Sequence, residues 1–516
     1  MLHSWPLATD PAHLSRLDND DASLNAWVIT WVPHALAHQP WRLFEAPIFY
    51  PEAHTLAYSE HLMVPSLMGA PLIWAGVSPV LVQNLLILLG LALSGWSMFL
   101  LMSNWTGSMS AGLVAGLAYG FNAHILARFA HLQAQHVEFL PAALYALDRV
   151  LDHGRRRDAA WLAAAIVLQS LCSNYLLVFT LFVVAACVAI RPAAWLDASR
   201  RHVLTALAVT AAITFVALAP FLWPYYLVSR DQGMIRSLDE VATNAATWRS
   251  YLATGGRLHY QWWSHRFFAD TTPLFPGVTV TILGAIALAG RARRVHPRVR
   301  MAIAIGLLGV ALSLGPVLPG YEWLHARIPL LAALRAAARW GWLALVAIAI
   351  LAGYGVVALE RRWPRARMAL AVCLGALVTI EAMRTPVGYT TFTGYPPIYD
   401  RLRATGTVVA EFPFYSGQSV SENGPYLVNN TRYLQPLVNG YSGFQPTSYA
   451  IRGETLRNFP EPSAIDELRK IGVTHVTVHT SAFAEKSGAE ALKAIDGVTE
   501  LELLAEEDGI RLYRFK

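Results

Sequence analysis

The residues best suited to chemistry lie near the start of the chain, in "LDNDDASLNAW" (17–27), where Asp18, Asp20 and Asp21 precede an apolar run. Apolar and aromatic side chains at 24, 27, 28, 31 and 35 predict an amphipathic helix lying on a membrane surface, with carboxylates in its first turn, at the positive end of its dipole. Such carboxylates can cap the helix; held at a membrane–water interface, they can also deprotonate or orient an acceptor hydroxyl. The D-x-D spacing tolerates a divalent cation, but so short an acidic pattern specifies no metal site and no other cofactor is implied. Glu60 and His61 stand where an apolar stretch begins, readable as a cap with a polar flank or as a catalytic dyad. The turn "FNAHILARFAHLQAQHVEFLP" (121–141) carries Arg128, His131, His136 and Glu138, polar groups that are costly at membrane depth unless paired or used. His131 and His136 are five apart, on different faces of an ideal helix, so they do not form a zinc pair. In "LAALRAAARWGW" (331–342), Arg335 and Arg339 are spaced i, i+4. Two guanidiniums one helical turn apart can grip a phosphate or pyrophosphate, although both could also snorkel to headgroups. Tyr260, Trp262, Trp263 and His265 form an aromatic group fit to stack on a sugar ring or to sit in an interfacial belt.

Composition says which elements must hold these groups. Of 516 residues 55% are hydrophobic and 14% charged, with mean hydropathy +0.38, against about 25% charged in soluble domains. This is the composition of an α-helical, multi-pass integral membrane protein. The net charge of +6 comes from arginine, since lysine occurs only at 470, 486, 493 and 516, and the arginines cluster at the ends of apolar runs. Such blocks orient a membrane protein and exclude nucleic acid as the natural partner. Cys172, Cys187 and Cys373 lie inside apolar segments and imply neither a disulfide framework nor a metal cluster.

Ten spans are expected, at about 79–102, 109–126, 137–152, 158–174, 176–191, 203–226, 274–290, 301–317, 339–358 and 368–383, with a re-entrant or interfacial helix at 62–77. Loops 152–157, 191–202, 291–300 and 360–367 hold fifteen arginines and are therefore expected on the cytoplasmic side of an inner (plasma) membrane. Residues 1–61, the loop 227–273 and everything after 384 then face the opposite, extracytoplasmic side. No basic stretch followed by an apolar one marks a cleavable signal, and the outer N-terminus has no span before it. A first span encoded upstream of Met1 is the expected remedy, N-out insertion the other.

Three regions follow: an outward first loop with interfacial helices (1–78), a transmembrane core (79–383) and an extracytoplasmic α/β domain (384–516). In the last, 407–415 and 473–480 read as strands, 461–472 and 484–497 as helices, the former capped by Ser463 and stopped by Gly472. The segment 501–515 reads as a hairpin turning at Asp508-Gly509.

The order of "DDASLNAWVITW" (20–31), "IFYPEAHTLAYSEHL" (48–62), "PVLVQNLLILLGLALSGWSMFLL" (79–101), "RFAHLQAQHVEFLPAALYALDR" (128–149) and "LRAAARW" (334–340) resembles bacterial polytopic proteins of the GT-C glycosyltransferase class, family 39-like. The tail from "AEFPFYSG" to "FPEPSAIDELRKIGVTHVTVH" resembles the exported domain of the same group. The resemblance implies a GT-C-like fold, a polyprenyl-phosphate sugar donor, a lipid or glycan acceptor, and an essential acidic residue in the first outer loop. Asp21 matches the Asp of the group's Gly-Asp pair, with Asp20 in place of the glycine, so both are candidate catalytic residues. Arg335 and Arg339 would bind the donor phosphate, while Glu60, His61, Arg128, His131, His136 and Glu138 would line the cavity. The competing reading is a transporter or flippase of lipid-linked or envelope glycans, for which the paired internal repeats expected of transporters are not seen.

Overall fold

The computed structural model describes residues 1–516 apart from 198–199, 234–235, 269–270, 291–295 and 487. Parts of the loops 191–202, 227–273 and 291–300, and residue 487 of the helix expected at 484–497, thus lie outside the described residues. All ten apolar segments are helical: Pro79–Thr106, Met109–Gly120, Phe139–His153, Arg156–Cys172, Asn174–Ala189, Arg201–Gln232, Val278–Ala289, Pro297–Ser313, Trp342–Arg362 and Arg367–Ala382. Among the described residues, four helical stretches are long and apolar enough to cross a membrane: Pro79–Thr106, Met109–Leu126, Arg201–Gln232 and Ala337–Arg362. Asn174–Ala189 and Val278–Ala289 are apolar but shorter.

The chain divides into two compact units. The first takes Met1–Thr9, Leu85–Leu222 and Ile235–Gly388. Trp342–Arg362 is its central helix, packed by Val278–Ala289, Pro297–Ser313 and Met109–Gly120. Small residues permit these approaches: a Cβ on Gly355 would overlap the Leu283 carbonyl, and one on Gly116 would sit 2.6 Å from the Gly95 oxygen.

Several Arg-rich loops meet at one end of this unit. Buried Asp148 pairs with Arg191 and Arg298, both at 2.8 Å, and Arg191 also reaches Asp152 at 2.6 Å. Arg298 donates to the Trp105 carbonyl and Arg300 to that of Ile190. Loops that the charge pattern put on one side therefore share one end, and some of their arginines tie helices together as well as orienting them.

The second unit takes Asp10–Asn84, Trp223–Met234 and Tyr389–Lys516. It joins most of the N-terminal region to the C-terminal region, which the sequence reading keeps apart. Strand β1 (Leu14–Ser15) pairs antiparallel with β2 (Thr390–Thr391). A four-stranded sheet has the order β3 (Val409–Phe412), β4 (His475–His479), β6 (Ile510–Phe515), β5 (Leu501–Glu507), with β3 and β4 parallel and the other pairs antiparallel. Backbone bonds from Phe49 to Asn439, from Tyr50 to Leu437 and from Leu437 to Pro47 stitch the N-terminal region onto this domain. The β5–β6 turn lies at Asp508-Gly509 as expected, with φ of 50° and 74°, the double positive φ of a type I′ turn.

Two local expectations are corrected. The helix Pro462–Lys470 begins on proline after Glu461, with no side-chain cap from Ser463, although Gly472 at φ +81° does follow its end. Thr480–Lys486 and Gly488–Asp496 are helical on either side of residue 487, which lies outside the described residues. Finally, Asp20–His38 is no surface amphipath: every residue from Ala22 to Pro33 is buried, leaving no polar face across three turns. It packs on Met63–Trp74 and Gly424–Asn430 within the second unit.

Candidate functional site

In the second unit, Asn19 is the N-cap of Asp20–His38, its side chain accepting the Asp21 N–H at 3.1 Å. The aspartates are thereby relieved of capping. Asp18 is bidentate with Arg16, at 2.9 and 3.2 Å, and is neutralised there. Half-buried Asp21 accepts from the Tyr441 hydroxyl at 2.8 Å. Asp20 accepts from the Ser421 hydroxyl and lies so close to Gly424 that a Cβ there would be 3.2 Å from its Oδ1. Burial holds the Asp20 carboxyl above the ordinary aspartate range; the charges of Asp21 and Glu422 push the same way and the Ser421 bond opposes them. The result is a pair of adjacent carboxylates in which Asp20 holds its proton more tightly than a free aspartate does.

Packing fixes this turn in place. Trp27 and Trp31 stack at 6.3 Å, fully buried, and both indole N–H groups are used, on Asn430 Oδ1 and the Leu43 carbonyl. Gly424–Asn430 thus touches the acidic helix at both ends of itself, through Gly424 at Asp20 and Asn430 at Trp27. Next to Asn430, Asn429 donates to the Tyr399 hydroxyl at 3.0 Å; Tyr399 donates to Glu411 at 2.7 Å, and His479 Nε2 lies 2.7 Å from the same carboxylate oxygen. Glu411 is fully buried, so this cluster anchors the helix from behind.

His61 is buried rather than cavity-lining. Its Nδ1 accepts the Met63 N–H at 3.1 Å, at the start of Met63–Trp74, and its ring meets Phe44 and Tyr225 edge-on. Glu60 beside it is half-buried. Burial lowers the His61 pKa from 6.5 to about 4. The folded protein therefore refuses a proton that the unfolded chain accepts: stability is intact above pH 6.5 and falls by about 3 kcal/mol as pH drops toward 4. In His61→Asn, which keeps an acceptor without titrating, unfolding midpoints measured across that window should lose this extra pH dependence.

In the first unit, a small pocket of about 40 Å³ is lined by His124, Arg128, His131, Tyr175, Phe179, Trp342 and Arg339. The Arg339 guanidinium lies 4.4 Å from the Tyr175 ring centroid, and among the described residues its buried Nε has no hydrogen-bond partner. His124 is within electrostatic reach of Arg128, His131 and Arg339, and among the described residues no carboxylate lines the pocket. A buried guanidinium Nε without a partner among the described residues, set beside apolar walls, suits an anionic head on an apolar chain.

Arg335 is absent from that lining and is exposed. The helical spacing inferred for Arg335 and Arg339 fails because the chain is not α-helical there: a short helix ends at Ala332, and Ala337–Gly341 is a 3-10 turn. Ala336 gives its N–H to the Tyr175 hydroxyl and Ala338 to the Asn244 carbonyl, so neither makes an i→i−4 bond. Arg128, rather than Arg335, lines the pocket with Arg339.

His136 and Glu138 lie deeper than expected. Both are buried outside the pocket lining, with His136 Nδ1 3.0 Å from Glu138 Oε1. Their non-helical backbone is satisfied by side chains: Gln169 binds His136 O, Phe139 N and Leu140 N, Tyr119 binds Val137 O, and Ser97 binds Glu138 O. Irregular backbone in an apolar interior requires such partners. Among the described residues, no group of three or more His, Cys, Asp or Glu side chains is placed to hold a metal.

No family model matches the chain, and no curated protein matches it. Among solved structures, 94% of the chain aligns with 68% of the archaeal oligosaccharyltransferase AglB from Archaeoglobus fulgidus, solved with an inhibitory peptide and a dolichol-phosphate, at 13% identity and a TM-score of 0.54. The fold is GT-C-like. Two structures of ArnT from Cupriavidus metallidurans, apo and bound to undecaprenyl phosphate, align with 99% and 94% of the chain and 95% and 97% of theirs, at 14% and 13% identity and TM-scores of 0.41. Within the GT-C-like chain, the acidic pair with Glu60 and His61 belongs to the second unit, and Arg128, His131, His136, Glu138, Arg335 and Arg339 to the first. Sequence reasoning missed Tyr441, Ser421, Tyr175 and His124. Tyr441 sits in the quoted tail and His124 in the quoted turn, but nothing local marks their partners.

Proposed function

We propose that the chain is a membrane glycosyltransferase of the inner membrane that passes a sugar from a polyprenyl-phosphate carrier to a lipid or glycan acceptor on the extracytoplasmic face, where its C-terminal domain also lies. The observation carrying this reading is the pocket lined by Arg128, His131 and Arg339, in which, among the described residues, the buried Arg339 Nε has no hydrogen-bond partner beside apolar walls. The dolichol-phosphate in the AglB structure supports a phosphorylated prenol as the ligand class.

In the proposed reaction Asp21 is the base or orienting group, its Oδ1 held by Tyr441. The acceptor hydroxyl oxygen attacks the anomeric carbon, the bond from that carbon to the carrier phosphate breaks, and the hydroxyl proton passes to Asp21. The carrier phosphate leaves with the bonding electrons, and Arg339 is the group proposed to bind it. Asp20 supports Asp21 through its neighbouring charge. A divalent cation has no assigned part.

Mass spectrometry of envelope glycans and carrier-linked intermediates in a deletion strain tests the reading. Carrier-linked sugar should accumulate while an acceptor is under-decorated. A complete glycan retained on the wrong face would overturn the reading in favour of a flippase.

A further inference from the structure

The hairpin of Phe139–His153 and Arg156–Cys172 carries a groove that the transfer chemistry does not use. One stripe of each helix lines it, with Phe139, Ala142 and Ala146 on the first and Trp161, Ala165 and Leu168 on the second. The alanines leave a trough between larger side chains, and Tyr145 and Trp161 are exposed along it. From position 139 to 149 the helix rises roughly 15 Å, about half of a 30 Å hydrocarbon core and so one leaflet deep.

Charge stands at one end only. Arg149, Arg155 and Arg157 line that end, with Asp158 as the one lining carboxylate among the described residues. Asp158 is committed to Arg149 at 2.9 Å, whereas Arg155 and Arg157 are exposed. An apolar trough of one-leaflet length ending in two uncompensated guanidiniums complements an amphiphile with an anionic head.

We propose that this groove binds an anionic glycerophospholipid of the leaflet beside the Arg-rich loops, with an acyl chain along the alanine trough and the phosphate on Arg155 and Arg157. The proposal rests on reading 137–152 and 158–174 as membrane segments, and it is independent of the transferase assignment. A polyprenyl phosphate presents the same head, but its longer chain outruns a groove of this depth.

The full-length protein in detergent is titrated with phosphatidylglycerol, phosphatidylcholine or polyprenyl phosphate, and bound lipid is counted by native mass spectrometry. Phosphatidylglycerol should be retained over phosphatidylcholine, and its affinity should fall roughly 30-fold in the Arg155→Gln/Arg157→Gln double variant. Ala142→Trp, which fills the trough and leaves the arginines, should also weaken retention. Equal retention of the two phospholipids, an unchanged double variant, or preferential retention of polyprenyl phosphate overturns the proposal. Should the double variant fail to fold, wild-type retention of phosphatidylglycerol must still weaken with added salt; salt-independent retention overturns the proposal too.

Discussion

Asp21→Asn should slow sugar transfer by about 10²- to 10⁴-fold, the contribution of a positioned general base, while leaving the fold intact. The structure explains why the two effects separate. The cap of the acidic helix is Asn19, which accepts the backbone N–H of residue 21, and that N–H survives the substitution. Tyr441 can still donate to the asparagine Oδ1 that replaces its carboxylate partner. Transfer from a polyprenyl-phosphate sugar in proteoliposomes gives the rate, and thermal unfolding of the same preparation checks the fold. Full activity in this variant removes Asp21 from the mechanism. Asp20→Asn should be milder, because Asp20 acts on the reaction only through its neighbour.

Arg339→Ala should weaken donor binding about 10- to 150-fold, since a hydrogen bond to a charged group contributes roughly 1.5–3 kcal/mol. Arg339→Lys should recover little of it. A lysine keeps the charge but loses the planar fork and the stacking 4.4 Å over Tyr175. Arg335→Ala is the discriminating control: a helical pair would make both arginines equal, whereas the observed exposure of Arg335 predicts almost no change. The measurement is KM for the donor in each variant, with kcat followed separately. Equal losses from Arg335→Ala and Arg339→Ala would restore the paired reading.

Where sequence reasoning succeeded, the signal was local and periodic. Apolar runs identified ten helices because membrane-length stretches leave the backbone little choice but internal hydrogen bonding. The Asp508-Gly509 turn was legible because few residue pairs accept positive φ twice. Where it failed, a competing partner lay far along the chain. Periodicity at 331–342 suggested a continuous helix, but the Tyr175 hydroxyl and Asn244 carbonyl captured its N–H groups, so the register of Arg335 to Arg339 was lost. The residues after Asp20 looked amphipathic because their polar members, Ser23, Asn25 and Thr30, are small enough to be buried; the structure buries all three.

The sequence by itself determined the apolar composition, the positions of the helices, the arginine loops that share one end, and an acidic first turn near the start of the chain. Those properties follow from composition and short-range spacing. Only the tertiary structure decided which groups meet: Asp21 with Tyr441 across 420 residues, Arg339 with Tyr175 and Arg128 in place of Arg335, His136 turned inward onto Glu138, and Glu411 buried against His479. Such pairings depend on which distant segments close upon one another and on which donor satisfies each buried acceptor, and neither is written in the spacing of neighbouring residues.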